Sequence, residues 1–292
     1  MPASPTCTCQ SCPTHADTPT RRSCGVYPSS MTDEQWAVLE PLLPPGRNRT
    51  SRGGRPEAHP RRRILDAIFY INRGGVGWRM LPVEFPPWQT VYGFFTRWRD
   101  DGTWQRVHDA LRDRVRVAAG RKSTPTAAIV DSQSVRAAAT VGRDSRGFDG
   151  GKKVNGRKRH IAVDAGGLLL IVLVTIAGIQ DRDGGLRLLA LLRERSSTIQ
   201  LVWADGGYAG RLVEWAKQVL KLTVEIVKRS DDAKGFKVLP RRWVVERTFA
   251  WLFTSRRLVH DYERKPESHE AMVYISMILL MTRRLAPKPK TL

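Results

Sequence analysis

Cysteine is nearly absent from this 292-residue chain: the four present, Cys7, Cys9, Cys12 and Cys24, all fall within the first 30 residues. The rest of the chain must therefore build its core without disulfides. Acidic charge is scarce too, with 28 Asp and Glu against 49 Lys and Arg, a net charge of +21. An excess of that size argues against an enzyme of small metabolites and for a polyanionic partner, most commonly nucleic acid, although a ribosomal or membrane-surface role fits the charge equally well. Long apolar runs are missing: the longest, Gly166 to Gly178, is shorter than the roughly 20 residues of a spanning helix. The start lacks the apolar stretch of a signal peptide. A soluble, intracellular protein with no membrane contact is expected. P-loop, GxGxxG and HExxH patterns are also lacking.

The early cysteines form a Cys-x-Cys-x-x-Cys cluster near His15 and Cys24, but the spacing matches no common zinc finger and the segment is rich in Pro, Thr and Ser. Residues 1–30 read as a disordered leader, with Met31 a possible start and Thr32 an N-cap. Residues 31–118 read as helical, with expected helices at Thr32–Leu43, Arg61–Asn72, Trp88–Arg99 and Trp104–Arg116, separated by Gly- and Pro-containing turns. Short Arg-rich helices in this arrangement fit a helix-turn-helix DNA-binding unit, or a plain bundle with a solvated basic face. From about residue 123 to 286 the texture changes. Strands are expected at Ala127–Val130, His160–Val163, Leu168–Ile176, Ile199–Ala204 and Thr223–Val227, with a hairpin turn at Asp164–Gly167. Helices are expected at Gly184–Arg195, Leu212–Leu220, Arg241–Arg257 and Ser268–Arg284, then a basic tail at 287–292. That order predicts an α/β fold: a mixed sheet flanked by helices, preceded by an all-α part.

Three acids stand where acids are expensive. Asp131 ends the apolar run Ala127–Val130, Asp205 ends Leu201–Ala204, and Glu246 lies in a helix apolar on most sides. If the first two runs are adjacent parallel strands, Asp131 and Asp205 open on one crevice at their carboxyl ends. The loop-like residues that follow, Ser132-Gln133-Ser134 and Gly206-Gly207, fit such a crevice. Trp243, Phe249, Ala250 and Phe253 are expected on the side of Glu246, which places the carboxylate away from solvent. Bland alternatives are a turn cap for Asp131, an Asx turn for Asp205 and an ion pair with Arg242 for Glu246. Together the three suit two Mg²⁺ or Mn²⁺ ions acting on a phosphodiester. Asp181 and Asp183 read as helix caps, with Asp183 the N-cap, and Asp164 as a turn residue. Lys152, Lys153, Arg157, Lys158 and Arg159, interleaved with glycines after Asp149, read as a clamp on phosphates.

Several of these segments resemble the bacterial DDE transposases of the insertion sequence five family, within the insertion sequence four/five superfamily. They are Tyr27 to Trp36, Asp149 to Lys153, Gly156 to His160, Ala204 to Tyr208 and Trp243 to Leu252. The resemblance implies a ribonuclease-H-like catalytic domain with Asp131, Asp205 and Glu246 as the metal-binding catalytic triad. It also implies binding of double-stranded DNA at terminal inverted repeats, cleavage by water and attack of the 3′-OH on target DNA. A homo-oligomer on DNA, in the bacterial cytoplasm and associated with the nucleoid, is expected. Arg242 matches the family's basic residue four before the glutamate. Leu239 stands where many relatives have Tyr, and Phe253 where a basic residue is common, with Arg256 or Arg257 as substitutes on the DNA. The leader has no counterpart in that pattern. A ribonuclease-H-like nuclease without strand transfer and a non-enzymatic DNA-binding descendant are the rival readings.

Overall fold

The computed structural model describes residues 27–46, 56–227 and 242–286. The leader cysteines, the linker from Arg47 to Arg55, Leu239 and the tail at 287–292 lie outside the described residues. Helix α1 (Asp33–Leu39) begins at Thr32 through a reciprocal cap. The Thr32 hydroxyl accepts from the Gln35 N–H at 3.2 Å, and the Gln35 side chain accepts from the Thr32 N–H at 3.3 Å, which satisfies two otherwise orphaned donors. A 3-10 turn at Glu40–Leu42 follows. Helix α2 (Arg61–Gly74) is closed by Gly75 in the left-handed region, at φ 74°. Helices α3 (Trp88–Asp100) and α4 (Thr103–Ala118) meet at Asp101-Gly102.

The second part runs β1 (Ala127–Arg136), β2 (Gly147–Asp149), β3 (Val154–Val163), β4 (Leu169–Ile176), α5 (Asp181–Arg195), β5 (Leu201–Ala204), α6 (Arg211–Leu220), β6 (Thr223–Ile226), α7 (Arg242–Phe253) and α8 (Pro266–Leu285). Strand β3 takes β1 antiparallel on one edge and both β2 and β4 antiparallel on the other. Strands β5 and β6 extend the sheet from β1 in parallel. The expected mixed sheet flanked by helices is present. Strand β1 does not stop at Val130. Its pairing with β3 runs from Ile129↔Val163 to Arg136↔Gly156, so Ser132-Gln133-Ser134 are strand residues rather than a loop. The basic run Arg157-Lys158-Arg159 likewise lies inside β3. Helix α5 starts three residues before Gly184, and α7 ends at Phe253, followed by a 3-10 turn at Arg256–Leu258.

Alternation along β1 divides the core. Ile129 faces a cluster built with Ile161, Val163, Leu169 and residues of α1 to α4, α7 and α8, whereas Ala128 and Val130 face a second cluster under α5 and α6. The N-terminal helices therefore share one core with α8 and the sheet. Asn72 on α2 reinforces this, its amide donating to the Met272 carbonyl at 3.0 Å. Helix α8 is buried on nearly every side, which explains its continuous apolar sequence.

Glu270 of α8 accepts the Val174 N–H at 2.8 Å. Burial pushes its carboxyl from 4.5 up to about 7, with the Glu267 charge adding to the effect. Between those two values the folded chain holds a proton that the unfolded chain does not. This group therefore favours folding increasingly as pH falls through that window. Glu270→Gln is expected to raise the unfolding midpoint at pH 8 and to match wild type near pH 4. Thermal melts across this range check it, and a pH-independent difference would contradict it.

Candidate active site at the ends of β1 and β5

The parallel register Ala127↔Leu201, Ala128↔Val202, Ile129↔Trp203 places Asp131 beside Asp205 when continued two residues. By the same alternation Asp131 lies on the side of Ile129 and Asp205 on the side of Trp203, the face covered by α7. Both acids are half-buried and line one cleft with Trp203, Val227 and Val245. The Ser132 N–H donates to Asp131 Oδ1 at 2.7 Å, and the Gly207 N–H donates to Asp205 Oδ1 at 2.9 Å. The Asx turn considered for Asp205 is thus present, and it orients the carboxylate through one oxygen.

Helix α7 is tied to the β3–β4 turn. Thr248 Oγ1 donates to the Gly167 carbonyl at 2.8 Å and Arg247 to the Gly166 carbonyl at 2.9 Å. The Arg247 guanidinium also sits 4.2 Å from the Trp243 ring centroid and 4.8 Å from that of Trp251. This anchoring sets Val245 against the acid pair, with Glu246 next along the chain. Glu246 is exposed, contrary to the expectation of a face away from solvent. The buried stripe of α7 is Val244, Val245, Thr248, Phe249 and Leu252, while Trp243 and Phe253 are about 40% exposed. Among the described residues no three His, Cys, Asp or Glu side chains stand close enough to hold an ion by themselves. The fold brings Asp131 and Asp205 to one crevice and leaves Glu246 exposed on α7, outside the lining of that crevice.

A polar network occupies the opposite side of β1. Ser132 Oγ donates to Asp181 Oδ1 at 2.7 Å, and Lys158 Nζ lies 2.9 Å from that oxygen and 3.4 Å from Asp149 Oδ2. Ser134 Oγ donates to Asp149 at 2.5 Å, and the Gly151 and Lys152 N–H groups donate to its other oxygen. Burial opposes ionisation of Asp149, but the Ser134 hydroxyl, the Lys152 N–H and Lys158 outweigh it and bring the carboxyl down to about 2. For Asp181, too, burial is overcome, by Ser132 and Lys158, and its value is lowered. Asp181 and Asp183 do not cap α5; the N-cap is Gln180, without a side-chain bond. Asp164 sits in its turn as expected, accepting from Gly166 and Leu168 and pairing with Arg116. Asp181 was missed as a site neighbour: a point one Cβ above Gly207 is 3.1 Å from Asp205 and 3.5 Å from Asp181. Nothing in its local sequence separates it from a cap.

The basic run is not a solvent-facing clamp. Alternation in β3 sends Arg157 and Arg159 inward on one face and Lys158 inward on the other. Arg157 pairs with Asp261 at 3.0 Å and donates to the Ser145, Glu263 and Arg264 carbonyls. Arg159 donates to Gln133 and to the Leu258 carbonyl. Arg257 is buried as well, paired with Glu263 at 2.7 Å. Lys152, Lys153 and Arg256 are exposed. The side chain of Arg242 lies outside the described residues.

A mixed sheet with β5 and β6 parallel to β1, β3 antiparallel to it and helices on both faces is a ribonuclease-H-like fold. The family model for the transposase DDE domain matches residues 122–282, and a second, described as "Putative transposase of IS4/5 family", matches residues 31–108. The chain belongs to the DDE transposase family of the insertion sequence four/five group. Two Burkholderia cepacia proteins are similar at 33% identity. One is the "Insertion element IS402 uncharacterized 16.2 kDa protein", over 107 residues, 36% of this chain and 71% of that protein. The other is the "Putative transposase for insertion sequence element IS402", over 132 residues, 43% of this chain and 62% of that protein.

Removing Lys158 leaves two carboxylates sharing a site without their cation. Lys158→Met is expected to destabilise the fold by about 3–5 kcal/mol, whereas Lys153→Ala at the surface changes it by no more than about 0.5 kcal/mol. Urea unfolding of both variants checks this; equal stability would contradict the network.

Proposed function

We propose that this protein is a transposase that binds terminal inverted repeats, cleaves donor DNA by metal-dependent phosphodiester hydrolysis and joins the 3′-OH ends to target DNA. The observation that carries the reading is that Asp131 and Asp205 line one crevice, two residues past the last β1–β5 register pair, in a +21 chain of the DDE family. Mg²⁺ in phosphoryl-transfer sites is commonly held by one or two carboxylates, with water and substrate phosphate completing the shell. Two aspartates lining one narrow crevice supply carboxylate oxygens of that kind. Asp131, Asp205 and Glu246 would hold two Mg²⁺ or Mn²⁺ ions. Such ions activate the attacking oxygen and stabilise the leaving one.

The chain's own residues supply placement. The Ser132 and Gly207 N–H groups fix one oxygen of each aspartate. Arg247 and Thr248 hold α7, the helix that carries Glu246, against the β3–β4 turn. Lys152, Lys153 and Arg256, exposed, and Arg242, at the start of α7, neutralise phosphates along the bound strand. Arg157, Lys158, Arg159 and Arg257 act through the framework instead. The N-terminal helices are assigned to recognition of the DNA ends, and a homo-oligomer brings two ends together. Among the described residues no helix is long and apolar enough to cross a membrane, and DNA is where this reading locates the protein.

Asp131→Ala is expected to reduce nicking of an inverted-repeat duplex in Mg²⁺ by at least about 10²-fold, the scale on which one charge-stabilising group acts. Gel-shift affinity for the duplex should be unchanged. Nicking at the wild-type rate would refute the site.

A further inference from the structure

We propose that a cleft remote from Asp131 and Asp205 receives an unpaired nucleobase of the bound DNA; the inference rests on DNA being the substrate. The cleft has a volume of about 1030 Å³ and lies between the segment after α2, helix α3 and the residues leading into α8. Four aromatic side chains line it: Trp78, Trp88, Tyr92 and Tyr262. Trp78 and Trp88 are half-buried, and Tyr92 and Tyr262 are more than a third exposed. The rings support one another, with Trp78 packed on Tyr92 and Phe95 at 5.0 and 4.9 Å between centroids and Arg257 5.4 Å from the Tyr262 centroid, and together they form an aromatic surface that stays partly open to solvent.

The charge around these rings is positive. Arg79 lies 5.3 Å from the Trp88 ring centroid, and Arg264 and Lys265 are exposed on the rim. The acid of the cleft, Glu263, is neutralised by Arg257 at 2.7 Å. Aromatic faces with guanidinium groups beside them suit a single-stranded nucleotide, whose base stacks without regard to sequence while the rim neutralises its phosphate. A paired duplex hides the faces of its bases, so the occupant must be unstacked. The volume is ample for one nucleotide.

The cleft is built before DNA arrives. Arg257 donates to the Val76 carbonyl at 2.7 Å and Arg99 to Ser268 Oγ at 2.7 Å, joining the N-terminal helices to the segment before α8. Thr140 Oγ1 donates to the Tyr262 carbonyl at 2.9 Å, and Ala137 bridges to Asp261. Strand β1 thus runs from Asp131 to Arg136, about 17 Å at 3.3 Å per residue, and leads into the segment whose Thr140 lines the cleft. The few kcal/mol spent in extruding a base are offset by its stacking.

The test uses the full chain with oligothymidylate and, separately, a blunt duplex of equal length. Oligothymidylate is expected to quench tryptophan fluorescence. Tyr92→Ala and Trp88→Ala should each weaken single-strand binding about 5- to 100-fold, the loss of one stacked base, with far-UV circular dichroism unchanged. Duplex binding by gel shift should move less than about twofold. No quenching in the wild type, or equal losses on both probes, would overturn the proposal. Asp131→Ala separates the two readings: it should abolish nicking and leave oligothymidylate binding intact. Nicking that survives in this variant refutes the acid site without touching the cleft.

Discussion

The parallel pairing of β1 with β5 is the constraint on which the rest of this molecule depends. Continued two residues past its last pair, it sets Asp131 level with Asp205, the residue after β5, and the twofold alternation of extended backbone turns both to the side of α7. Slipping that register by one residue would send one acid to the opposite face. The remaining elements hold this geometry in place. Strand β3 clasps β1 from Ile129 to Arg136, α5 and α6 close one face, and α7 is fastened to the β3–β4 turn on the other. Gly184 and Gly185 let α5 come in closely. A Cβ at Gly184 would lie 2.1 Å from the His160 ring, and one at Gly185 would lie 2.8 Å from the Tyr208 ring. This is why two poor helix formers sit inside a helix.

The positive excess of the chain serves two physically different purposes. Exposed cations such as Lys152, Lys153 and Arg256 carry a field that falls off over roughly a Debye length and attracts polyanions. Buried cations bear a desolvation cost that is recovered only when every donor finds an acceptor. Arg157 meets this through Asp261 and three carbonyl oxygens. For Arg159, burial pulls the guanidinium down to about 9, with Asp261 opposing, and Gln133 and the Leu258 carbonyl take its protons. Asp261 itself is held to about 2: burial opposes its charge, but His269, the Glu263 N–H and Arg157 together prevail. These groups fix the segment after α7 against the sheet, and that segment forms one wall of the aromatic cleft.

Much of this could be read from the amino-acid order. The Thr32 cap, the four N-terminal helices, the Asp164–Gly167 hairpin turn and the adjacency of the strands carrying Asp131 and Asp205 all follow from local chemistry and periodicity. What was hidden depends on partners distant in the chain. The second half of β1 is polar and is held by backbone pairing to β3 rather than by an apolar pattern. The run Arg157-Lys158-Arg159 looks like a surface patch until the acids that neutralise it are in place, and Asp261 lies 104 residues further on. Glu246 was misplaced because α7 is apolar on both its buried and its exposed sides, so composition alone does not say which side faces water.

The central claim is that Asp131 and Asp205 form one cation-binding pair on the sheet. Anomalous scattering from crystals of the protein grown with Mn²⁺ and an inverted-repeat duplex tests it directly. The account predicts a manganese peak about 2.1 Å from a carboxylate oxygen of each aspartate. Manganese bound elsewhere, with both aspartates free of it, would contradict it.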